Sequence, residues 1–421
     1  MATLQKVKLG DVCVQITDGK HGDCVNENNS GYFFISSKDV FDGAIHYENA
    51  RQITKADFLD THKRTRLEIG DILITNSGTI GRMALVKNNS LTEKTTFQKS
   101  VAIIKSKRSS IDNTYLYYKL LSLYQQLVNL GGGSAQHNLL LSDLRHFTIQ
   151  IPNFPTQTHI ASVLSAYDDL IENNEKRIKV LEEMAQLLYT EWFVKFKFPR
   201  LRQGFGGQAG QEKVKMVESG TEYGKIPEGW DVRKLKEIGK VVTGKTPSTS
   251  KAENFGGKVL FIKTPDIHRN IFVLESEETL SEIGAKTQSL KMLPKKTVFV
   301  SCIGTIGVVG ITSKPSQTNQ QINALLLNDG SDYCFFYCFA QGLKNKLVGL
   351  GSNGATMGNV NKDKFENINI LYPKEETRKS FFEKAARLFD EILLLQKYNK
   401  NLSITRDLLI PQLVTGKREL K

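Results

Sequence analysis

The stretch Gly239-Lys-Val-Val-Thr-Gly244-Lys245-Thr246 fits the phosphate-cradling P-loop pattern letter for letter. That chemistry needs a buried strand before the loop and a helix after it, so that backbone N–H groups and a helix N-terminus meet phosphate. Here Leu235-Lys-Glu-Ile precedes the motif and Pro247-Ser-Thr-Ser follows it. The context predicts a glycine turn presenting Lys245 and Thr246, with a P-loop ATPase as an alternative reading. Pro265-Asp266 could open a nuclease core, yet no Asp/Glu-x-Lys follows through position 330. No Pro-Pro pair occurs, so the Asn/Asp-Pro-Pro-aromatic signature of an amino-methyltransferase is missing. His21 with Cys24 offers two metal ligands, which is too few. The five cysteines form no CxxC pair. That argues against a zinc site and a disulfide framework, and for a reducing cytoplasm. Cys334 and Cys338 share a helical face with Phe335, Phe336 and Phe339, which predicts core packing.

What remains is a set of polar residues in turns. Sequence in duplex DNA is read when Arg or Lys meets guanine, or Asn or Gln meets adenine; Lys, Ser and Thr also hold phosphate. Candidates in the first half are Lys20, His21, Lys38, Asn76, Thr79, Gln98, Lys99, Gln136 and Asn138. Those in the second half are Lys245, Thr246, Lys263, His268, Arg269, Thr305, Gln320, Gln321, Asn353 and Asn359. Gly78, Gly81, Gly304 and Gly307 read as turn-formers.

The elements that carry these residues occur twice. Leu127-Val-Asn-Leu-Gly131 recurs as Leu347-Val-Gly-Leu-Gly351, and Gly78-Thr-Ile-Gly81 as Gly304-Thr-Ile-Gly307. Asp71–Thr75 matches Thr297–Ser301, and Asn138 and Pro152 match Asn359 and Pro373. A period near 220 residues means two copies of one domain, not a solenoid. Strands are expected at Asp71–Asn76, Val101–Lys105, Val298–Cys302, Ala324–Leu327 and Tyr32–Ile35. A helix is expected over Asp112–Leu130, capped by Asp112 and stopped by Gly131, with its counterpart over Asp332–Leu350.

After each domain comes a long apolar repeat with steps of four and three. The first runs Ile160, Leu164, Tyr167, Ile171, Asn174, Ile178, Leu181, Ala185, Leu188, Trp192; the second runs Phe381, Ala385, Leu388, Ile392, Leu395, Asn399, Leu402, Arg406, Leu409, Leu413. Such a spacing is a coiled-coil seam. Asn174 and Asn399 fall on the two seams, where a buried polar residue can fix register. Pro411 should end the second helix near Leu409. Leu170, Leu187, Leu393 and Leu394 flank the seams and would offer a partner surface. The stretch Arg200–Gly220, rich in Gly and Gln, reads as a flexible linker. A helix of about 37 residues is roughly 55 Å long, and about twenty linker residues span at most ~66 Å. Antiparallel pairing avoids that stretch. The expected fold is α+β: two tandem mixed domains, an antiparallel pair of long helices and a pseudo-two-fold arrangement. The boundaries are 1–152, 153–199 for the first helix, 200–219 for the linker, 220–372, and 373–421 for the second helix and tail.

At this level the chain resembles the specificity (S) subunit of bacterial type I restriction–modification enzymes, over nearly its whole length. The likeness rests on Thr243-Gly-Lys-Thr-Pro-Ser248, on the strand-then-Gly-Thr-Ile-Gly unit in both halves, and on Thr318-Asn-Gln-Gln-Ile-Asn323, with Thr96-Phe97-Gln98-Lys99 as a weaker copy. It rests also on Pro155-Thr-Gln-Thr-His-Ile160, Glu191-Trp-Phe-Val194, and Leu408-Leu-Ile-Pro-Gln-Leu413 followed by Gly416. No single piece is specific; their order is. The resemblance implies a non-catalytic reader in which two target-recognition domains each recognise half of a split DNA site. The helices then hold them apart and dock methyltransferase (M) subunits, two per chain. Nuclease/translocase (R) subunits complete the complex, and AdoMet, ATP and magnesium belong to the partners, with no cofactor in this chain. The loops of the two copies differ, so the site should be asymmetric.

Composition agrees with that class. At 421 residues the chain is too long for one ordinary core. With 40% apolar and 24% charged residues it has a soluble globular balance. No apolar run approaches the ~18 residues of a membrane span, and the first residues carry no apolar signal core. The net charge is +13, which suits a polyanionic partner. Pro155–Arg200 carries a net −1 and Lys374–Lys421 a net +4, so most of the excess lies in the two domains and the linker. The competing readings are the fused recognition module of a restriction enzyme–methyltransferase, the ATPase, and an adaptor that joins proteins through its coiled coil.

Overall fold

The computed structural model describes residues 4–131, 138–199, 214–268, 270–352 and 358–418. Most of the linker therefore lies outside the described residues, as do the candidates Gln136, Arg269 and Asn353. The chain forms two compact units: Met1–Ile171 with Asn401–Lys421, and Glu172–Lys400.

In the first unit a four-stranded antiparallel sheet runs in the order Cys13–Asp18, Val101–Ser106, Ile72–Thr75, Met83–Leu85. Three of its strands read as near-continuous apolar runs because both faces are buried there, whereas the edge strand Cys13–Asp18 leaves Val14 exposed. Ile72, Ile74, Ala102 and Ile104 face a core with Tyr115, Leu116 and Leu120. The intervening Leu73, Val101 and Ile103 face another core with Ile35, Phe97 and Val40. This is the period of two that a strand imposes. The second core is closed by a smaller sheet, Arg51–Gln52, Phe33–Ile35 and Thr95–Phe97, whose last pair is parallel.

The second unit repeats the plan. Its sheet runs Gly239–Thr243, Ile322–Leu327, Val298–Ser301, Val309–Thr312, Phe272–Val273. Val298, Val300 and Leu325 face one core, and Phe299 and Ala324 the other. A smaller sheet again contains a parallel pair, Phe255–Ile262 with Ser316–Thr318.

The single helix expected over Asp112–Leu130 is two, Asn113–Ser122 and Tyr124–Leu130. Asp112 caps the first by accepting the Tyr115 N–H at 2.9 Å. The Leu123 N–H donates to Leu120 O at 3.0 Å, a tightened turn, and the second helix then buries Leu127 fully. The counterpart is likewise split into Tyr333–Gln341 and Lys344–Gly351. Cys334 and Cys338 are fully buried there, and burial pushes the Cys334 thiol up to about 12.

The long helices are Phe154–Tyr189, which continues into a π turn at Thr190–Val194, and Glu375–Val414. Each starts against its domain through a side chain that bonds the carbonyl of a preceding proline. Gln157 Nε2 donates to Pro152 O at 2.9 Å while its Oε1 accepts the Asp112 N–H at 3.0 Å. At the same place in the second copy, Arg378 Nε donates to Pro373 O at 3.2 Å, and its Nη1 pairs with the buried Asp332 carboxylate. Tyr372 also donates to Asp332, at 2.6 Å.

Within each unit the two helices run antiparallel. In the first, Ile160, Ala161 and Leu164 share a core with Ile410, Leu413 and Val414, and Asp168 pairs with Arg406. In the second, Asn174 Nδ2 donates to Asn399 Oδ1 at 2.8 Å, Arg177 pairs with Glu391, and Trp192 meets Phe381 edge-on at 5.9 Å. Tyr167, Ile171, Ile178, Leu181, Leu188, Leu388, Leu402 and Leu409 are half-buried, whereas Ile392 and Leu395 are buried.

Two expectations about the second helix fail. Leu393 is buried, not exposed. Phe389 beside it meets Phe272, Tyr333 and Tyr337 at 6.4, 5.7 and 5.3 Å between ring centroids, so the helix buries a second stripe on the domain as well as its seam. Nor does Pro411 end the helix, which continues to Val414. The lost backbone hydrogen bond is offset by burial of Leu413 and Val414 and by a cap: Lys119 Nζ and Tyr115 OH bond Val414 O at 3.0 and 3.4 Å.

Trp192 and Trp230, the two tryptophans of the chain, are buried in the second unit, so their fluorescence reports that unit's unfolding. Arg378→Ala would leave Asp332 charged and buried without its partner. It should destabilise the unit by about 3–5 kcal/mol, against about 0.5 kcal/mol or less for the exposed neighbour Lys379→Ala. Urea midpoints followed by tryptophan emission check this, and equal midpoints would refute it.

Candidate nucleic-acid interface

In each unit the candidate residues collect where several strands end side by side. The register pairs Asp18 with Ala102, Thr75 with Val101, and Ile35 with Phe97, so four strand ends and one strand start converge. The loops leaving them are stitched together by their backbones. Lys20 N–H donates to Phe97 O at 2.9 Å, Lys99 N–H to Lys20 O at 3.1 Å, and Gln98 N–H to Ile35 O at 2.9 Å. Asn76 N–H donates to Ser100 O at 3.0 Å, and Ser77 bridges to Asn138. Lys38 sits on a short turn after Ile35, capped by Asp39, where Ser37 N–H reaches Ser100 Oγ at 3.3 Å. Lys20, Lys38, Asn76, Thr79, Gln98, Lys99 and Asn138 thus share one edge, although up to 118 positions separate them.

The second unit builds the same edge. Gly244 N–H donates to Ile322 O at 3.1 Å, Lys245 N–H to Thr318 O at 3.0 Å, and Asn319 N–H to Ile262 O at 3.2 Å. Ile303 bridges to Asn359 as Ser77 does to Asn138. Glycine is required at two kinds of place. A Cβ on Gly19 would lie 1.9 Å from Phe97 O, and one on Gly244 2.1 Å from Asn319 O. Gly78, Gly81, Gly304 and Gly307 have φ of 76°, 88°, 75° and 87°, in the left-handed region.

The ladders also correct the alignment of the copies. Ile35 faces Phe97 and Ile262 faces Thr318. Phe97-Gln98-Lys99 therefore corresponds to Thr318-Asn319-Gln320, one residue off the match suggested by the shared glutamines.

The side chains of this edge are unequal. Lys38, Lys99, Lys245, Gln320, His268, Thr79, Thr305 and Asn359 are exposed. Lys20 is occupied: its Nζ lies 3.0 Å from Asp57 and 3.3 Å from Asp60. The Asp57 bond holds the Lys20 amine above its usual range. The Val25 N–H first, and then Lys20, hold the Asp57 carboxyl below its own. Lys263 pairs with Glu278 at 2.6 Å, and His21 Nε2 lies 2.8 Å from Asp18 Oδ2. Asn76 is buried, with its Oδ1 unpartnered among the described residues. Thr246 donates to Gln320 Oε1 at 2.7 Å, and Gln321 Oε1 accepts from Asn319 at 3.2 Å and from Thr264 at 3.5 Å.

One residue that shapes the edge had no sequence signal. Arg64 Nη2 donates to Asp18 Oδ1, Asp18 O and Gly19 O at 2.6, 2.7 and 2.9 Å, fixing the Gly19 turn from a helix 46 positions away.

The P-loop-like stretch has the wrong geometry. Gly239–Thr243 is itself a strand, Gly244 packs on carbonyl oxygens, and no helix starts at Thr246. Asp266 accepts the N–H groups of Lys263 and Glu277 at 2.8 and 2.9 Å, which is turn-forming. No group of three His, Cys, Asp or Glu able to hold a metal ion occurs among the described residues.

Known proteins share this architecture. A family model described as Type I restriction modification DNA specificity domain matches residues 1–183 and 227–405. The Type I restriction enzyme HindI specificity subunit of Haemophilus influenzae is 29% identical over 433 residues, covering 91% of this chain and 93% of that one. The MjaIX specificity subunit of Methanocaldococcus jannaschii is 27% identical over 355 residues, covering 82% and 77%. The crystal structure of a type I restriction–modification S subunit from M. genitalium superposes with a TM-score of 0.56 at 16% identity, covering 100% of this chain and 97% of that one, which is a likeness of fold.

Gly244→Ala must push the Asn319 carbonyl away and should destabilise the second unit by about 1–3 kcal/mol. Lys245→Ala, one residue on and exposed, should stay within about 0.5 kcal/mol. Tryptophan-monitored urea titration distinguishes them; identical curves would mean that the turn is not close-packed.

Proposed function

Because the chain belongs to the type I restriction–modification DNA specificity family, we propose that each unit reads one part of a split, asymmetric duplex site through its strand-end edge. As a specificity subunit the chain is a reader and not an enzyme. The observation that carries the proposal is the double occurrence of one backbone edge, with the same glycine approach at Gly19 and Gly244, bearing different side chains. Lys38, Lys99 and Lys245 are suited to phosphate or guanine, and Gln98, Gln320, Asn138 and Asn359 to adenine.

The paired helices set the interval between the two parts of the site. Their antiparallel course within each unit supports this, as does the Asn174–Asn399 bond that fixes register. Exposed apolar residues at Leu170, Val180, Met184 and Leu187 on one helix, and Leu394 and Tyr398 on the other, favour a docking surface for methyltransferase subunits, two per chain, with nuclease/translocase subunits joining them. AdoMet, ATP and magnesium then serve those partners. No helix among the described residues is long and apolar enough to cross a membrane. The reading places the protein in the cytoplasm, with its DNA.

Two measurements test the reading. Duplex affinity of the full-length chain should fall linearly on a log–log salt plot, each neutralised phosphate contributing a slope of about −0.9. Asp57→Asn together with Asp60→Asn, which removes both carboxylates from Lys20, should steepen that slope by up to about 0.9. A salt-independent interaction would favour the adaptor instead. Inserting four residues in frame in both helices should lengthen each by about 6 Å, nearly two base-pair rises of ~3.4 Å. Methylome sequencing of the host should then report a longer gap between unchanged half-sites; an altered half-site with an unaltered gap would refute the spacing role.

A further inference from the structure

We propose that Gln320 and Lys99, which occupy one structural position in the two copies, set a base difference between the half-sites: Gln320 contacts an adenine and Lys99 a guanine. The inference rests on the DNA-reading function proposed above and narrows it to a named pair.

The equivalence comes from backbone geometry. Each residue lies two positions beyond a parallel ladder pair, Ile262 with Thr318 and Ile35 with Phe97. Each neighbours the loop held against that ladder by its glycine, Gly244 or Gly19. Both side chains are exposed.

Their chemistry is not equivalent. Of Asn319, Gln320 and Gln321, only Gln320 is exposed. Asn319 is buried and accepts the Gln321 N–H at 3.1 Å, while its Nδ2 donates to Gln321 Oε1 at 3.2 Å. Those two amides hold the loop. The Gln320 amide is itself oriented, because the Thr246 hydroxyl donates to its Oε1 at 2.7 Å. An exposed glutamine otherwise loses considerable rotamer entropy when it binds. The bond leaves both Nε2 hydrogens and a second Oε1 lone pair for a ligand. One donor beside one acceptor is the complement of adenine N7 and N6–H in the major groove. In the first unit the same place carries an ammonium, which has donors only and matches guanine N7 and O6. The residue corresponding to Thr246 there is His21, whose ring nitrogen is engaged by Asp18.

The test is selection of duplexes from a random-sequence library by the full-length chain, followed by sequencing of the bound pool. Gln320→Ala should lower discrimination at one adenine of one half-site by about ten-fold or more. The other half-site should stay intact, which also reports that the chain is folded. Gln320→Lys should move that position toward guanine, and Lys99→Gln should move one position of the opposite half-site toward adenine. Thr246→Val, at a positioning residue, should weaken discrimination at the Gln320 position and leave the salt slope unchanged. If Gln320→Ala and Lys99→Ala bind every sequence more weakly but select the same one, these residues touch phosphate and the inference is overturned while the DNA-reading function stands. A wild-type chain that selects no split sequence overturns both.

Discussion

The strand-end edge of each unit depends on one close approach, that of a glycine to a carbonyl oxygen at the end of a parallel strand pair. Gly19 lies against Phe97 O and Gly244 against Asn319 O, so near that no Cβ fits. This contact lets the next residue, Lys20 or Lys245, donate its N–H across to the ladder. Loops from strands far apart in sequence are thereby tied into one surface by backbone bonds, braced by the Arg64 side chain in one unit and by Asn319 and Gln321 in the other. The exposed side chains Lys38, Lys99 and Lys245 take no part in those bonds and are free to vary.

Backbone and side chains are separable in the same way where the long helices leave the domains. Gln157 and Arg378 do the same mechanical task, bonding a proline carbonyl and anchoring a helix start. One does it with a neutral amide and the other with a buried ion pair to Asp332. The ion pair is the riskier solution, since desolvation consumes much of its attraction, and it is supported by the Tyr372 hydroxyl on the same carboxylate. The two copies thus share one backbone arrangement with different side chains, and the duplication is plainer in the sheet registers than in residue identities.

The legible parts of the sequence were those governed by local rules. Apolar runs marked the central strands, Asp112 marked a helix start, and steps of four and three marked the long helices. Tertiary contacts decided the rest. No glycine or proline announces the break at Leu123. Pro411 stays helical because Lys119 and Tyr115, some 300 positions away, cap Val414. Leu393 is buried by a domain face that the seam pattern does not encode. Among the candidate site residues, composition identified the loops but could not tell an engaged lysine from an exposed one. Lys20 is held by Asp57 and Lys263 by Glu278, whereas Lys99 and Lys245 are exposed. Arg64, which fixes the Gly19 turn, gave no signal because its partners lie on another element.

The acidic residues of this edge serve its loops. A carboxylate turned toward a substrate is one common source of a base or a metal ligand. Here the carboxylates nearest the turns are occupied by the chain itself. Asp18 holds Arg64 and His21, Asp39 accepts the N–H and hydroxyl of Ser36, Asp57 accepts the Val25 N–H and pairs with Lys20, and Asp266 accepts two backbone N–H groups. Each has its lone pairs turned inward, shaping a loop. Lys38, Lys99, Lys245 and Gln320 face outward, and ammonium and amide groups hydrogen-bond to phosphates and base edges without attacking them. That inward use of acidic groups is in keeping with the non-catalytic role of a type I specificity subunit.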